Sequence, residues 1–236
     1  PQISLRQNPT KERVLVDPSG RQRVFHGVNV IVKGPPWLPS RDGFDYKTSL
    51  VKEDFELMQA AGLNSIRLGF LWAAAEPQRG QYDESYYARA LEIINEAAEY
   101  GIYTFVDMHQ DAISERFCGE GLPAWAVNEN GTLFSFPEPF MAPFKNGPDG
   151  FPTRQDCARL TEKMGSDGQG GYQTPNLEQA TENLYTNVDG LADRWGLFLA
   201  KFANMTNGLG SVLRINLIKE PGTGLAWHHP ARLIRC

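Results

Sequence analysis

Hydrophobic and polar positions along the chain follow two periods in turn. Residues 24–30, Val-Phe-His-Gly-Val-Asn-Val, are rich in β-formers and run into Lys33-Gly34-Pro35-Pro36, which reads as a strand and its exit turn. Over residues 50–61 the apolar side chains Leu50, Phe55, Leu57, Met58 and Ala61 fall near helical spacing, and Gly62 stands where a helix end favours a left-handed residue. Residues 63–68 read as a second strand. A second helix is predicted over 85–100, with Ala90, Leu91, Ile94, Ala97 and Ala98 on one face and Gly101 after it. Residues 102–108 are almost continuously apolar, as a strand buried on both faces requires. From His109 to about Gln179 the pattern lapses into Gly, Pro, Asn and Asp, including the glycine-rich run 165–171; so long a loop in a compact domain is functional or mobile. Leu184, Val188, Leu191, Trp195, Phe198, Leu199 and Phe202 then predict one further helix with Trp195 in the core, and residues 211–218 a fourth strand. The order β-α-β-α-β-loop-α-β predicts an α/β fold of parallel strands joined by right-handed crossovers.

Composition narrows the function without choosing it. The 236 residues are 41% hydrophobic and 22% charged, the balance of a globular chain. With 23 Lys+Arg against 28 Asp+Glu the net charge is −5, and no basic stripe interleaves with aromatics, so nucleic acid is not an expected partner. No apolar run of about 18 residues occurs, which excludes a spanning helix. The sequence begins at Pro1, which reads as a processed or partial chain. Asn130-Gly131-Thr132 and Asn204-Met205-Thr206 are glycan acceptor tripeptides compatible with secretion, whereas Asn8-Pro9-Thr10 is blocked by its proline. Cys118, Cys157 and Cys236 lack metal-ligand spacing. A Cys118–Cys157 bridge would suit an oxidising compartment, and two separate buried thiols are the alternative.

Candidate chemistry gathers where strands end. Lys33 follows the first strand, Arg67 lies late in the second, His109-Gln110-Asp111 follows the third and Lys219-Glu220-Pro221 the fourth. Any one of these is explained as a solvated loop charge. Ionisable groups at the same end of four consecutive strands point instead to a site on the carboxyl rim of the sheet. Trp37, Trp72 and Trp125 fall in the loops after the first three strands, where packing and ligand contact are both open readings.

Residues 26–221 resemble the amino-terminal half of a glycoside hydrolase family 5 (β/α)8 TIM barrel, and more narrowly the endoglycoceramidases. The resemblance is carried by His26-Gly27-Val28-Asn29-Val30 with Lys33, Asn64-Ser65-Ile66-Arg67-Leu68-Gly69, Asp107-Met108-His109-Gln110-Asp111, Phe117-Cys118-Gly119-Glu120-Gly121-Leu122-Pro123-Ala124-Trp125 and Leu217-Ile218-Lys219-Glu220-Pro221. It implies Glu220 as the acid/base carboxylic acid, Arg67 as support for the nucleophile, His109 and Asp111 as contacts to the sugar at the cleaved bond, and Lys33 and Trp125 as further substrate contacts. It implies no metal and no organic cofactor. The expected substrate is a glycosphingolipid, cleaved between oligosaccharide and ceramide, with a β-glucan as the alternative; contact with a membrane surface and a secreted, extracellular or lysosome-like location accompany it. Retaining glycosidases need two carboxyls about 5–5.5 Å apart, one attacking the anomeric carbon and one protonating the leaving oxygen.

Two departures qualify that expectation. The family has Asn before the acid/base Glu, and this chain has Lys219, whose ammonium only donates and, near Glu220, would favour the carboxylate over the acid. After Glu220, 16 residues remain, with no strand–helix unit to supply the nucleophile. The reading is therefore a barrel cut to about four strands over 1–221, with a divergent tail at 222–236, inactive by itself or acting as a non-catalytic glycan- or glycolipid-binding half-barrel. The tail's His228-His229 pair lacks the spacing of a zinc site. On the predicted fourth strand, Arg214 and Asn216 share a face with Glu220, inside a barrel that normally packs apolar layers.

Overall fold

The computed structural model describes residues 3–164 and 170–226; the His228-His229 pair, Cys236 and most of the glycine-rich run lie outside them. Its contacts divide the chain into two compact units, one of Pro1–Phe70, Glu84–Met108 and Lys201–Leu217, the other of Leu71–Asp83, His109–Ala200 and Ile218–Cys236.

The first unit holds the sheet. Strands β3 (Gly27–Val30), β4 (Ser65–Gly69), β5 (Tyr103–Asp107) and β6 (Val212–Asn216) lie side by side in that order, all parallel, as the alternation predicts. Helices α1 (Lys52–Ala60) and α3 (Glu84–Glu99) supply the crossovers; a short helix α2 (Trp72–Ala75) precedes α3 in sequence. Both crossover helices end the same way. Gly62 and Gly101 take φ of +72° and +70°, and the amides of Leu63 and Ile102 return to the carbonyls of Met58 and Ala97, which turns each helix directly into a strand. At the start of α1, the Asp54 carboxylate accepts from the Val51 amide at 2.7 Å and so closes the first turn. Gly27 is required for close approach: a Cβ there would lie 1.6 Å from the Ser65 carbonyl oxygen.

The faces of the sheet differ sharply. Ile66, Leu68 and Val106 are buried together with Phe55 of α1 and Tyr86, Tyr87, Ile93 and Ile94 of α3, and Phe70 packs 4.1 Å from Phe202 between ring centroids. The opposite face carries the row Asn29, Arg67, Phe105 and Arg214, which are register partners across all four strands. Arg214 thus sits on the face expected, but it is exposed and its guanidinium lies 4.3 Å over the Phe105 ring, so its charge stays solvated while its planar group stacks. A register slip between Thr104 and Phe105 sets β6 one residue out of step. Leu57, one of the apolar residues near helical spacing, is exposed, and Leu91 and Ala98 are only half-buried because the buried face of α3 centres on Ala90, Ile93, Ile94 and Ala97.

Several expectations require correction. An antiparallel hairpin, β1 (Ser4–Gln7) with β2 (Arg13–Val16), precedes the sheet. The segment read as a loop over 109–180 contains α4 (Arg154–Met164) and the start of α5 (Pro175–Tyr185). The single helix drawn through Leu184 and Phe202 is two, α5 and α6 (Leu191–Met205), because Asn187 and Asp189 adopt left-handed φ of 58° and 54° between them. Trp195 is half-buried rather than core, and the fourth strand ends at Asn216, not Ile218.

Candidate active site

The ionisable residues singled out by the sequence fall into two groups, one in each unit. In the first, Asp107 ends β5 with no exposed surface, and Arg67 of β4 reaches it with Nη2–Oδ2 at 2.8 Å. Asn216, the last residue of β6, donates its amide to the other carboxylate oxygen at 2.7 Å. The row Gly69, Asp107, Asn216 is a register row, so the sheet itself puts these groups side by side. A buried carboxylate is tolerated when both oxygens are met in this way. Arg67 is thereby oriented by Asp107, a partner visible in the sequence only as an acidic residue closing an apolar strand. Lys33 lies exposed in the segment after β3.

The second group is built on a strained turn. After β5 the chain continues through His109-Gln110-Asp111, then Ala112 and Ile113 with φ of 43° and 59°, a conformation a β-branched residue rarely adopts. The turn is held by exchange of hydrogen bonds between Asp111 and Glu120, amide to carbonyl in both directions, at 2.9 and 2.8 Å. Glycines make that approach possible: a Cβ on Gly119 would stand 1.7 Å from the Asp111 carbonyl oxygen. Next to it, Cys118 is bonded to Cys157 of α4, with Cα atoms 5.4 Å apart, so the bridge suggested by the sequence is present.

Around this turn His109, Asp111, Lys219 and Glu220 come together. His109 is buried, with Nε2 3.4 Å from Asp111 Oδ2 and 3.7 Å from Glu120 Oε1. The Lys219 ammonium bridges Asp111 Oδ1 at 2.5 Å and Glu220 Oε2 at 2.7 Å. Burial by itself would lower the pKa of Lys219, but the hydrogen bonds to Asp111 and Glu220 outweigh it and raise the pKa above the ordinary lysine value. Tyr172 donates a long hydrogen bond, 3.4 Å, to Asp111, and burial followed by the neighbouring carboxylate pushes its phenol up. Gln110, given no role in the sequence reading, is the backbone clamp: its Nε2 donates to the carbonyls of Lys219 and Glu220 at 2.7 and 2.9 Å, while its Oε1 accepts from Ile113 N–H at 2.9 Å. Glu220 has a left-handed φ of 44°, and its side chain is 69% exposed.

His109, Asp111 and Glu120 could offer three ligand atoms within 4.8 Å of one another, but Lys219 already sets a positive charge on Asp111, so the cluster carries its own cation. The loop tryptophans go to packing: Trp37 and Trp72 are buried, and Trp72 donates to the buried Glu76 at 2.8 Å and stacks on Phe198. Trp125, expected to meet substrate, is half-buried, meets Trp72 edge-on and donates its indole N–H to the Glu76 carbonyl at 2.8 Å.

Comparison with known proteins places this geometry among relatives. A family model for cellulase (glycosyl hydrolase family 5) matches residues 26–138. An endoglycoceramidase of Hydra vulgaris is 42% identical over 228 residues, 96% of this chain and 42% of that protein. The crystal structure of an endogalactoceramidase superposes with a TM-score of 0.68 at 23% identity, covering 95% of this chain and 45% of the other. A structure of endo-glycoceramidase II from Rhodococcus sp. in complex with ganglioside GM3 superposes with a TM-score of 0.64 at 22% identity over 88% of this chain and 42% of the other. The chain thus spans less than half the length of these relatives. They close as (β/α)8 barrels, so the four parallel strands correspond to half of such a barrel.

Proposed function

We propose that the chain belongs to glycosyl hydrolase family 5 in its endoglycoceramidase-like branch, and that the protein it represents is a retaining β-glycosidase that cleaves glycosphingolipids between oligosaccharide and ceramide. The observation that carries the reading is Glu220, an exposed carboxylate four residues beyond β6, held with His109 and Asp111 in one cluster. In this reading Glu220 protonates the leaving glycosidic oxygen and then takes a proton from the attacking water, while His109 and Asp111 hold sugar hydroxyls. Lys219 stands in the way of the first of these steps, since its ammonium occupies Glu220 Oε2 at 2.7 Å. Protonation of the leaving group therefore requires Lys219 to leave Glu220, and sugar hydroxyls arriving at Asp111 compete for the same carboxylate that anchors it.

That ion pair also supports a second reading, in which the half-barrel binds a glycan or glycolipid without cleaving it. The two are separated by hydrolysis of a fluorescent glycosylceramide. In the full-length protein Glu220→Gln is expected to lower turnover by about 10²–10⁴-fold, the usual contribution of a general acid; an unchanged rate excludes Glu220 from the chemistry. The 236-residue chain alone is expected to show background hydrolysis. Turnover by the chain that Glu220→Gln abolishes would mean that Asp111 or Glu120 supplies the second carboxylate. A secretory or lysosome-like location belongs to the same proposal, supported by the Cys118–Cys157 bridge.

A further inference from the structure

Toward the amino ends of the strands, within the first unit, lies a cavity of about 650 Å³. Of the residues gathered in the candidate site, Arg67 alone lines it. The β1–β2 hairpin supplies Leu5, Leu15 and Arg13: Leu5 stands opposite Leu15 in the antiparallel register, and Arg13, two positions from Leu15, shares its face. The open face of the sheet supplies Phe105 and Arg214, register partners on β5 and β6, and Phe25 enters from the segment before β3. Leu5 remains 57% exposed, an apolar side chain beside space it does not fill.

The charges on this lining have one sign. Arg13, His26, Arg67 and Arg214 are its ionisable side chains, Asn29 and Ser65 are neutral, and among the described residues no carboxylate takes part. Arg67 is already met by Asp107 at 2.8 Å. Arg13 and Arg214 are exposed and form no ion pair among the described residues. Arg214 lays the face of its guanidinium 4.3 Å over the Phe105 ring, which leaves the N–H groups at its edge directed outward, and that planar fork matches a carboxylate. Cations on one wall without an acid between them favour an anion there. A fully hydrated anion would leave the leucines and Phe25 in water, and an apolar molecule would gain nothing from the arginines; the lining fits a ligand that has both parts. A second copy of the chain docking its own open face would set arginine against arginine.

We propose that this cavity binds a single-chain amphiphile carrying one carboxylate, with Arg13 and Arg214 at its head group and Leu5, Leu15 and Phe25 along its apolar chain. The inference does not draw on the glycosidase reading, and none of the outcomes below bears on Glu220. With the 236-residue chain labelled at its Leu methyl groups, decanoate below its critical micelle concentration is expected to shift the Leu5 and Leu15 signals saturably. Decylammonium, the same chain with the opposite charge, is expected to leave them in place, and decanol to bind at least several-fold more weakly than decanoate. Arg13→Gln and Arg214→Gln are each expected to weaken decanoate by roughly tenfold, as loss of a charge-assisted hydrogen bond does. Both side chains are exposed, so neither substitution removes buried packing. Absence of a shift at Leu5 and Leu15 overturns the proposal, as does binding of the three probes with equal affinity or decanoate binding that neither variant weakens. Inorganic phosphate that displaces decanoate at equal concentration would reduce the site to an anion site and overturn the role of the apolar wall. Leu5 and Leu15 signals that move with protein concentration alone would give the face to a second copy and overturn it too.

Discussion

Gln110 shows how much of the site depends on a side chain that does no chemistry. Its amide occupies three buried or half-buried backbone groups, the carbonyls of Lys219 and Glu220 and the amide of Ile113, and so sets where the Lys219–Glu220 peptide runs. Gln110→Leu removes every one of these bonds at nearly constant volume. With roughly 1–3 kcal/mol at stake for the buried Ile113 amide and less for the two carbonyls, which are only partly buried, a loss of about 2–4 kcal/mol is expected in urea unfolding; an unchanged midpoint would show that water takes the place of the amide. Lys219 behaves differently towards pH. Its folded pKa is raised, so its bridge contributes fully below the ordinary lysine value and is lost only as pH rises through the folded one. Neutral and mildly alkaline conditions therefore leave the ammonium in place between Asp111 and Glu220.

Among the elements, the hairpin turn after β2 has the clearest acid response. Asp17 accepts from the Ser19 hydroxyl at 2.7 Å and from the amides of Ser19 and Arg21, and these bonds, the Ser19 hydroxyl foremost, lower its pKa to about 2. Because the folded pKa is depressed, its contribution is complete above the unfolded value near 3.8 and disappears as pH falls towards about 2. The Asp17 carboxyl resonance is expected to titrate with a midpoint near 2, and a midpoint near 4 would mean that the turn is open in solution. Elements with a strong period were legible in the sequence: all four parallel strands and the helices ending at Gly62 and Gly101 lie where apolar spacing puts them. Those that bury little were not. β1 is exposed at every position, and α4 buries Leu160 alone, so neither carries a periodic apolar signal. The break between α5 and α6 had a local cue in Asn187 and Asp189-Gly190, residues that tolerate left-handed backbone, which the continuous apolar spacing outweighed. In the site, His109, Asp111 and Glu220 were given roles by their motifs, whereas Gln110, Asp107 and Glu120, which stand in the same motifs, act through backbone exchange or burial that no spacing rule reveals.

For the whole molecule, a secretory route makes a prediction that separates the two acceptor tripeptides. Asn130 is exposed in a turn with Thr132 after it, while Thr206 is buried and its hydroxyl donates to the Phe202 carbonyl at 3.0 Å near the end of α6. Secreted expression in animal cells is expected to give a glycan at Asn130 and none at Asn204, read by peptide mass after enzymatic deglycosylation; an occupied Asn204 would mean that modification precedes formation of α6. The bond between Cys118 and Cys157 also governs how the molecule responds to cutting. The two cysteines stand 39 positions apart, and the chain between them includes Leu133, 99% exposed, and the exposed Phe134. Chymotrypsin acting there would divide the backbone without separating the pieces, so limited digestion is expected to leave one band on a non-reducing gel and two after dithiothreitol. A single scission in this stretch would pass unnoticed in any preparation examined without reductant, and the carboxylate cluster fastened beside Cys118 would remain covalently tied to the α4 side of the cut.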